Sequence, residues 1–160
     1  MENTYKNYFK YYLVTIFVFS IIWLYRKHSV GNDSTISEWI INYQGGFTRR
    51  GLPGEIAFHI AQFFNLKLRF VILLMQILFY GLYLILIYQF FKKIKFNGII
   101  LFTLFTPIFL IYHIAELEVL ARKELFLFIG YIWFYNISSK ESKVQNSILW
   151  IIFILPLVSI

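Results

Sequence analysis

The chain has 160 residues, of which 59% are hydrophobic and 14% are charged. Soluble domains average roughly 45 to 50% apolar and about 25% charged residues, so this composition excludes an ordinary globular domain, and the absence of cysteine excludes a disulfide scaffold. The net charge of +7 arises from loop lysines and from arginines beside apolar segments, which favours membrane lipids rather than nucleic acid as partners. We therefore expect an all-α, polytopic transmembrane helix bundle.

Five apolar stretches are the predicted spans, near residues 11–25, 70–91, 98–113, 119–137 and 148–160. The second stretch has 22 residues without a charge, and as a helix it would cover about 33 Å, enough to cross a hydrocarbon core of about 30 Å. Pro107 is expected to kink the third span. The last stretch would reach only about 20 Å. We therefore expect about four full spans plus a truncated fifth, in one integral-membrane domain (1–160) that is the N-terminal part of a longer protein.

Lysines in the short loops predict the topology, because cytoplasmic loops carry an excess of positive charge. The loop 92–97 has three lysines and no acid, and the N-terminus carries Lys6 and Lys10. This distribution predicts a cytoplasmic N-terminus and makes residues 26–69 the first outer loop, although that loop is itself net positive. No small-residue cleavage site follows the first apolar run, which favours a retained signal-anchor helix over a cleaved signal peptide.

The outer loop is predicted to hold two interfacial helices. Thr35-x-x-Glu38 fits a capping box at the start of the first helix, so Glu38 is either a cap or an acidic side chain aimed at a substrate. The apolar positions follow helical spacing and predict a helix on the membrane surface: Ile36, Trp39, Ile40 and Tyr43. The second helix is predicted over 54–65, with Pro53 and Glu55 in its first turn and an apolar stripe: Ile56, Ile60, Phe63 and Phe64.

Between these helices lies a glycine-rich loop, in which Gly45, Gly46 and Gly51 would let the backbone adopt positive φ and approach a ligand. Arg49 and Arg50 stand inside it, before a helix N-terminus, and two guanidinium groups in this setting suit phosphate or pyrophosphate. The alternatives are that both arginines bind lipid headgroups or pair with the loop's glutamates.

A second charged cluster precedes the fourth span. If the segment is helical, Glu118 and Arg122 form an i, i+4 pair, which would account for both side chains. Arg122, Lys123 and Glu124 also enter an apolar run, where charges usually face a partner, a cavity or a substrate. The predicted topology puts this cluster on the same outer face as the arginine pair, so the two form a candidate joint site. The three histidines share no ligand spacing, and we expect neither a metal nor a cofactor.

The stretch WIINYQGGFTRRGLPGEI, followed downstream by ARKELF, resembles the N-terminal region of bacterial O-antigen and capsule polymerases. The layout is also similar to that of GT-C-type glycosyltransferases, although the only aspartate in this loop is Asp33. The resemblance implies a polyprenyl-pyrophosphate-linked glycan as substrate in a bacterial inner membrane, together with other polysaccharide-assembly proteins as partners. On this analogy Arg49, Arg50, Arg122 and Lys123 would bind pyrophosphate, and Glu38 or Glu55 would activate an acceptor hydroxyl.

Two other hypotheses fit the same residues. In a transporter or flippase the arginines would recognise an anionic or lipid-linked substrate in transit, and broken helices near the middle of the membrane would favour this reading. The third possibility is a non-catalytic membrane fragment that is stable only within a larger bundle.

Overall fold

A computed structural model describes residues 2–30, 34–46, 51–94, 97–106, 110 and 120–138. These residues form helices and turns, with no strand among them, which confirms the expected all-α class. The helices are α1 (Glu2–Val30), α2 (Ser34–Ile40), α3 (Leu52–Phe63), α4 (Leu68–Lys92), α5 (Gly98–Phe105) and α6 (Leu125–Ser138).

Two of these helices are long and apolar enough to cross a membrane, by length and composition: α1 over Tyr5–Val30 and α4 over Leu68–Lys92. α5 has 8 residues and α6 has 14. Within the described ranges the structure thus contains two helices of spanning length, where four full spans were expected. The expected fifth span, 148–160, lies outside the described residues.

The helices predicted over 98–113 and 119–137 are shorter than expected, for two local reasons. α5 ends at Phe105, and Thr106 is extended, with ψ 137°, because a residue that precedes proline is pushed out of the helical region. In place of the expected kink at Pro107, the helix ends two residues earlier, at Phe105. α6 begins only at Leu125, because residues 120–124 form a turn in which Ala121 has a φ of 54°.

α1 and α4 form an antiparallel pair. Phe9, near the start of α1, packs against Tyr88 and Phe91 near the end of α4, with ring centroids 6.4 and 5.8 Å apart. Close to the other end, His28 Nε2 lies 2.8 Å from Gln76 Oε1. The start of α1 and the end of α4, which carry Lys6, Lys10, Lys92 and Lys93, therefore form one end of the bundle, here called the lysine end.

α6 runs parallel to α4. Phe126 contacts Phe79, Phe128 contacts Tyr83, and Tyr135 contacts Phe90, with ring centroids 4.5, 6.3 and 5.3 Å apart. Because both sets of residues advance in the same direction, the start of α6 lies toward the start of α4. We call this end, where α1 finishes and α4 and α6 begin, the loop end.

α2 and α3 cover the loop end, and α2 differs from its prediction. It begins at Ser34, one residue before the expected cap Thr35. Its apolar face does not simply lie on a membrane surface, because Ile36 and Trp39 are 1% and 0% exposed. They pack in a cluster with small and branched residues of the neighbouring helices: Ala57, Ala61, Val71 and Ile72.

α3 packs through the face that carries small residues and exposes the face that carries large apolar residues. Pro53, Gly54, Ala57 and Ala61 are its buried residues. The stripe that the sequence indicated is exposed on the opposite side: Ile56, Ile60, Phe63 and Phe64. The helix ends with Asn65 at a φ of 51°, and Leu66 N–H donates to Ala61 O at 2.9 Å, a left-handed cap that turns the chain into α4.

Candidate functional site

The segment between α1 and α4 and the second charged cluster meet at the loop end. Trp39 Nε1 donates to the carbonyl oxygen of Ala121 at 3.0 Å, across 82 residues of sequence. On the residue before Trp39 and the residue after Ala121, Arg122 Nη2 donates to Glu38 Oε1 at 3.4 Å. We call these two contacts the α2 clasp. They bring together two of the predicted site residues, Glu38 and Arg122, from separate parts of the chain.

Local structure explains the Trp39 half of the clasp. The indole is enclosed by Phe79 and Phe126, with ring centroids 6.4 and 5.6 Å away, and a buried indole N–H needs a hydrogen-bond acceptor. The turn at Leu120 and Ala121, both buried, supplies one. The left-handed conformation of Ala121 costs about 1 to 2 kcal/mol for a residue with a Cβ, so tertiary contacts must hold it.

The Glu38 half is a partly buried ion pair. The side chains of Glu38 and Arg122 are 27% and 34% exposed. Arg122 lies in a turn rather than in a helix. It therefore lacks the helical conformation that the predicted i, i+4 pair with Glu118 requires. Glu118 itself lies outside the described residues. The carboxylate of Glu38 thus contacts a guanidinium that is 84 residues away in sequence. A role as a helix cap alone does not explain this contact.

The residues that follow Arg122 carry their charges into the protein. Lys123 is 2% exposed. Arg122 Nε and Glu124 Oε2 are buried and have no hydrogen-bond partner within the part of the chain that the structure describes. Buried polar atoms in native proteins are nearly always paired with protein, water or ligand. This cluster therefore has unused capacity to bind, of both signs, beside the Glu38–Arg122 pair.

Glu55, the second candidate catalytic carboxylate, is engaged by its own loop. Its Oε2 accepts from the backbone N–H of Tyr43 at 2.9 Å, and its Oε1 accepts from Gln44 Nε2 at 3.0 Å. His59 Nε2, one turn along α3, lies 3.0 Å from the same Oε1. These contacts attach the turn at 43–46 to the first turn of α3, so Glu55 anchors the loop.

The predicted glycines play different roles. Gly46 has a φ of 116° and closes a turn in which its N–H donates to Tyr43 O at 3.0 Å, while Gly45 faces open space. Gly51 precedes α3 in a right-handed helical conformation, with φ −80°, so positive φ is not what this position requires. The arginines between them, Arg49 and Arg50, lie outside the described residues.

Gly54 is a structural residue that the sequence-based prediction missed. A Cβ at this position would overlap the carbonyl oxygen of Ile41, so the start of α3 packs directly on the backbone that leaves α2. The sequence carries a signal for this contact, because a glycine in the first turns of a helix costs about 1 kcal/mol relative to alanine and needs a packing reason.

The site therefore consists of a carboxylate and a guanidinium in contact, followed in sequence by a buried lysine and a half-buried glutamate. This arrangement can bind an anionic group and hold a carboxylate beside it. Among the residues that the structure describes, no group of three or more His, Cys, Asp or Glu side chains is placed to hold a metal ion. No protein-family model, no curated protein and no solved structure matches the chain.

Proposed function

We propose that this chain is an integral membrane protein of bacterial surface-polysaccharide assembly, which transfers or polymerises polyprenyl-pyrophosphate-linked sugars on the outer face of the inner membrane. The observation that carries the proposal is the Glu38–Arg122 contact. It joins the residue before WIINYQGGFTRRGLPGEI to ARKELF, and these are the two stretches that resemble polysaccharide polymerases and GT-C-type glycosyltransferases.

The membrane setting is supported by the outward faces of the two long helices. α4 exposes an apolar stripe at helical spacing, Leu74, Leu78, Leu82 and Ile85, and α1 exposes Val14, Val18 and Ile22. Such faces are stable in contact with lipid tails and unfavourable in water. In our proposal the two long helices cross the membrane, and the lysine end is cytoplasmic because of its positive charge.

The charged residues then have distinct roles. Arg122, with Arg49 and Arg50, binds the pyrophosphate of the lipid carrier, since guanidinium groups match phosphate oxygens in bidentate geometry. Lys123 adds positive charge from within the protein. Glu38 accepts the proton of the acceptor hydroxyl as that oxygen attacks the anomeric carbon of the sugar, because its carboxylate lies beside the anion-binding group. The bond between that carbon and the pyrophosphate oxygen breaks, and the polyprenyl pyrophosphate leaves with its charge held by the arginines. Glu55 positions the glycine-rich loop through its contacts with Tyr43 and Gln44.

A charge exchange tests this proposal, in the host cell with the full-length gene. Glu38→Gln and Arg122→Gln should each shorten the surface polymer and cause lipid-linked repeat units to accumulate. The double exchange Glu38→Arg with Arg122→Glu keeps an ion pair but puts each group on the wrong segment. We expect it to restore protein abundance in the membrane without restoring polymer length.

Arg26→Gln is a matched control at the same end of the bundle, because Arg26 stacks on Trp23 at 5.7 Å and lies outside the α2 clasp. It should leave the polymer unchanged. Normal polymer length in both Glu38→Gln and Arg122→Gln, at normal protein abundance, would refute the proposed roles. Full recovery of polymer by the charge exchange would reduce the pair to a structural contact.

One observation favours the second candidate, a transporter or flippase. α5 ends at Phe105, in the middle of an apolar segment, and continues as extended backbone at Thr106. Broken helices of this kind line substrate sites in transporters. The two functions differ in where the substrate collects. A transport defect in Arg122→Gln leaves lipid-linked sugars on the cytoplasmic leaflet, whereas a transfer defect leaves them on the outer leaflet, where a membrane-impermeant glycosidase or periodate can reach them.

A further inference from the structure

An open cavity of about 260 Å³ lies between the last turn of α1 and the start of α4. Its polar lining consists of His28 and Ser29 from α1, with Lys67 and Arg69 from the segment that begins α4. Among the lining residues that the structure describes, none is a carboxylate. The cavity therefore has two cationic side chains in its wall, and we call it the basic cavity.

The remaining walls of the basic cavity are apolar or aromatic: Tyr25, Phe70 and Leu73. Tyr25 and Phe70 are 66% and 47% exposed, so the cavity opens toward the outside beside aromatic side chains. Aromatic residues next to lysine and arginine are typical of the level where lipid headgroups meet acyl chains. The lining thus combines a cationic part with a part suited to a hydrocarbon chain.

The polar walls are held in place by the packing of α1 on α4. His28 Nε2 donates to Gln76 Oε1 at 2.8 Å, and Gln76 is fully buried, which fixes the imidazole at the end of α1. The carbonyl oxygen of Lys67 accepts from the N–H groups of Phe70 and Val71 at 2.9 and 3.2 Å. These bonds fix the backbone that carries both cationic side chains, at a helix end where the dipole also favours an anion.

We infer that the basic cavity binds the phosphate of an anionic phospholipid, with an acyl chain along Phe70 and Leu73. Its volume is below the roughly 300 to 1,000 Å³ of pockets that enclose whole drug-sized ligands, which suits a headgroup phosphate better than a sugar-bearing carrier. The lining residues belong to neither half of the α2 clasp. The inference therefore goes beyond the proposed glycan site and shares with it only the membrane setting.

Lipid retention tests the inference directly. The full chain is purified from nanodiscs that contain equal amounts of phosphatidylglycerol and phosphatidylcholine, and the lipids that remain bound are counted by native mass spectrometry. We expect the wild type to retain phosphatidylglycerol preferentially, and Lys67→Gln with Arg69→Gln to lose at least fivefold of that preference. The matched control, Lys92→Gln with Lys93→Gln, removes the same charge from the other end of the same helix and should behave as wild type.

Two outcomes would overturn the inference. Equal retention by the wild type and the Lys67/Arg69 variant shows that the cavity does not select anionic lipid, and equal losses in the two double variants show a general charge effect. A separate arm adds millimolar inorganic phosphate to the wild type. Displacement of phosphatidylglycerol by inorganic phosphate would identify free phosphate as the ligand and contradict the lipid assignment, whereas retention supports it.

The Lys67/Arg69 variant could lose lipid because it unfolds, so a charge-conserving variant is needed. Arg69→Lys keeps the positive charge and removes the planar, bidentate group. If the cavity holds a phosphate, this variant should keep the helical circular dichroism of the wild type and fall between the wild type and the double variant in its preference. Folded Arg69→Lys protein that shows the same preference as the wild type would contradict a bidentate contact between Arg69 and the phosphate, and with it the inference.

Discussion

Two carboxylates from one loop, Glu38 and Glu55, are held in opposite ways. Glu55 accepts from Tyr43 and Gln44, 12 and 11 residues away, and meets His59 one turn along its own helix. Glu38 instead pairs with Arg122, 84 residues away. The Glu55 region is therefore a locally closed unit, whereas the Glu38 region exists only when the fourth apolar segment packs on the first loop. A ligand at Glu38 would report on, and depend on, the assembled bundle.

The largest expected effect comes from removing the centre of the long-range region. Trp39→Ala should lower the free energy of unfolding by about 3 to 5 kcal/mol, the usual range for a large buried aromatic residue, because the fully buried indole also donates to Ala121 O. Unfolding in mixed micelles, followed by circular dichroism, measures the change.

The exposed Trp133, with 47% of its surface accessible, is the matched control, and Trp133→Ala should cost less than half as much. Trp39→Phe separates packing from the hydrogen bond, because it keeps an aromatic ring and leaves the buried carbonyl of Ala121 unpaired, at a cost of about 1 to 3 kcal/mol. A loss below 1 kcal/mol for Trp39→Ala would contradict the view that Trp39 joins the two segments.

A smaller effect is expected where the two regions touch, at Gly54. In Gly54→Ala the new methyl group overlaps the carbonyl oxygen of Ile41, so α3 must move away from α2. Overpacking of this kind costs about 1 to 3 kcal/mol. Gly45→Ala is the control, because a Cβ at Gly45 meets nothing within 4 Å. Equal stability of the two variants would mean that the close approach of α3 to Ile41 is absent in the protein.

The third prediction compares the carboxylates themselves. Glu55→Gln weakens the charge-assisted hydrogen bonds that the carboxylate accepts from Tyr43 and Gln44. Hydrogen bonds to charged groups contribute about 1.5 to 3 kcal/mol, so this substitution should lower the free energy of unfolding more than Glu38→Gln does. A double-mutant cycle of Glu38→Gln with Arg122→Gln should give a coupling of about 0.5 to 1 kcal/mol, since the pair is partly exposed and near 3.4 Å.

Salt separates the two carboxylates further. The Glu38–Arg122 coupling should fall by more than half between 0.05 and 0.5 M NaCl, roughly as the Debye length shortens. The effect of Glu55→Gln should change less, because two of its three partners, the Gln44 amide and the Tyr43 N–H, are neutral groups. A salt-independent coupling for Glu38 and Arg122, or an effect of Glu38→Gln larger than that of Glu55→Gln, would reverse the comparison.

The local region could be predicted from sequence more completely than the long-range one. Runs without charge located α1 and α4, Pro53 and Glu55 marked the start of α3, and the residue before Pro107 indicated where α5 would be disturbed. These signals depend on residues within one or two helical turns of each other, because local propensity and the fixed geometry of proline determine where a helix begins and ends. The same signals overestimated α6, because 120–124 is a good helical sequence that tertiary contacts hold in a turn.

The candidate site was predictable only as a neighbourhood. The antiparallel order of spans indicates that the first loop and the cluster at Arg122 share one end, but it cannot choose between Glu38 and Glu118 as the partner of Arg122. The local pair with Glu118 was consistent with every sequence rule. The choice follows from the buried indole of Trp39, which fixes Ala121 and so directs the next residue toward α2, a contact between residues with no sequence relationship.

Ala121 gives the smallest and most specific prediction. Its φ of 54° is a left-handed conformation that glycine adopts without the steric cost of a Cβ. Ala121→Gly should therefore relieve about 1 to 2 kcal/mol of strain and lose part of that gain, about 0.4 to 1 kcal/mol, to the greater freedom of glycine in the unfolded chain.

The net result for Ala121→Gly should be a stabilisation of between about 0 and about 1.6 kcal/mol, the difference between those two terms, measured by the same unfolding assay. The control is Ala57→Gly in the middle of α3, where glycine has no such advantage and should destabilise. In the Trp39→Ala background the hydrogen bond from the indole to Ala121 O is lost, so residue 121 is held less firmly in the strained conformation and the benefit of Ala121→Gly should shrink. An unchanged stabilisation by Ala121→Gly in that background would show that the turn is left-handed without the indole, and that Trp39 does not determine its conformation.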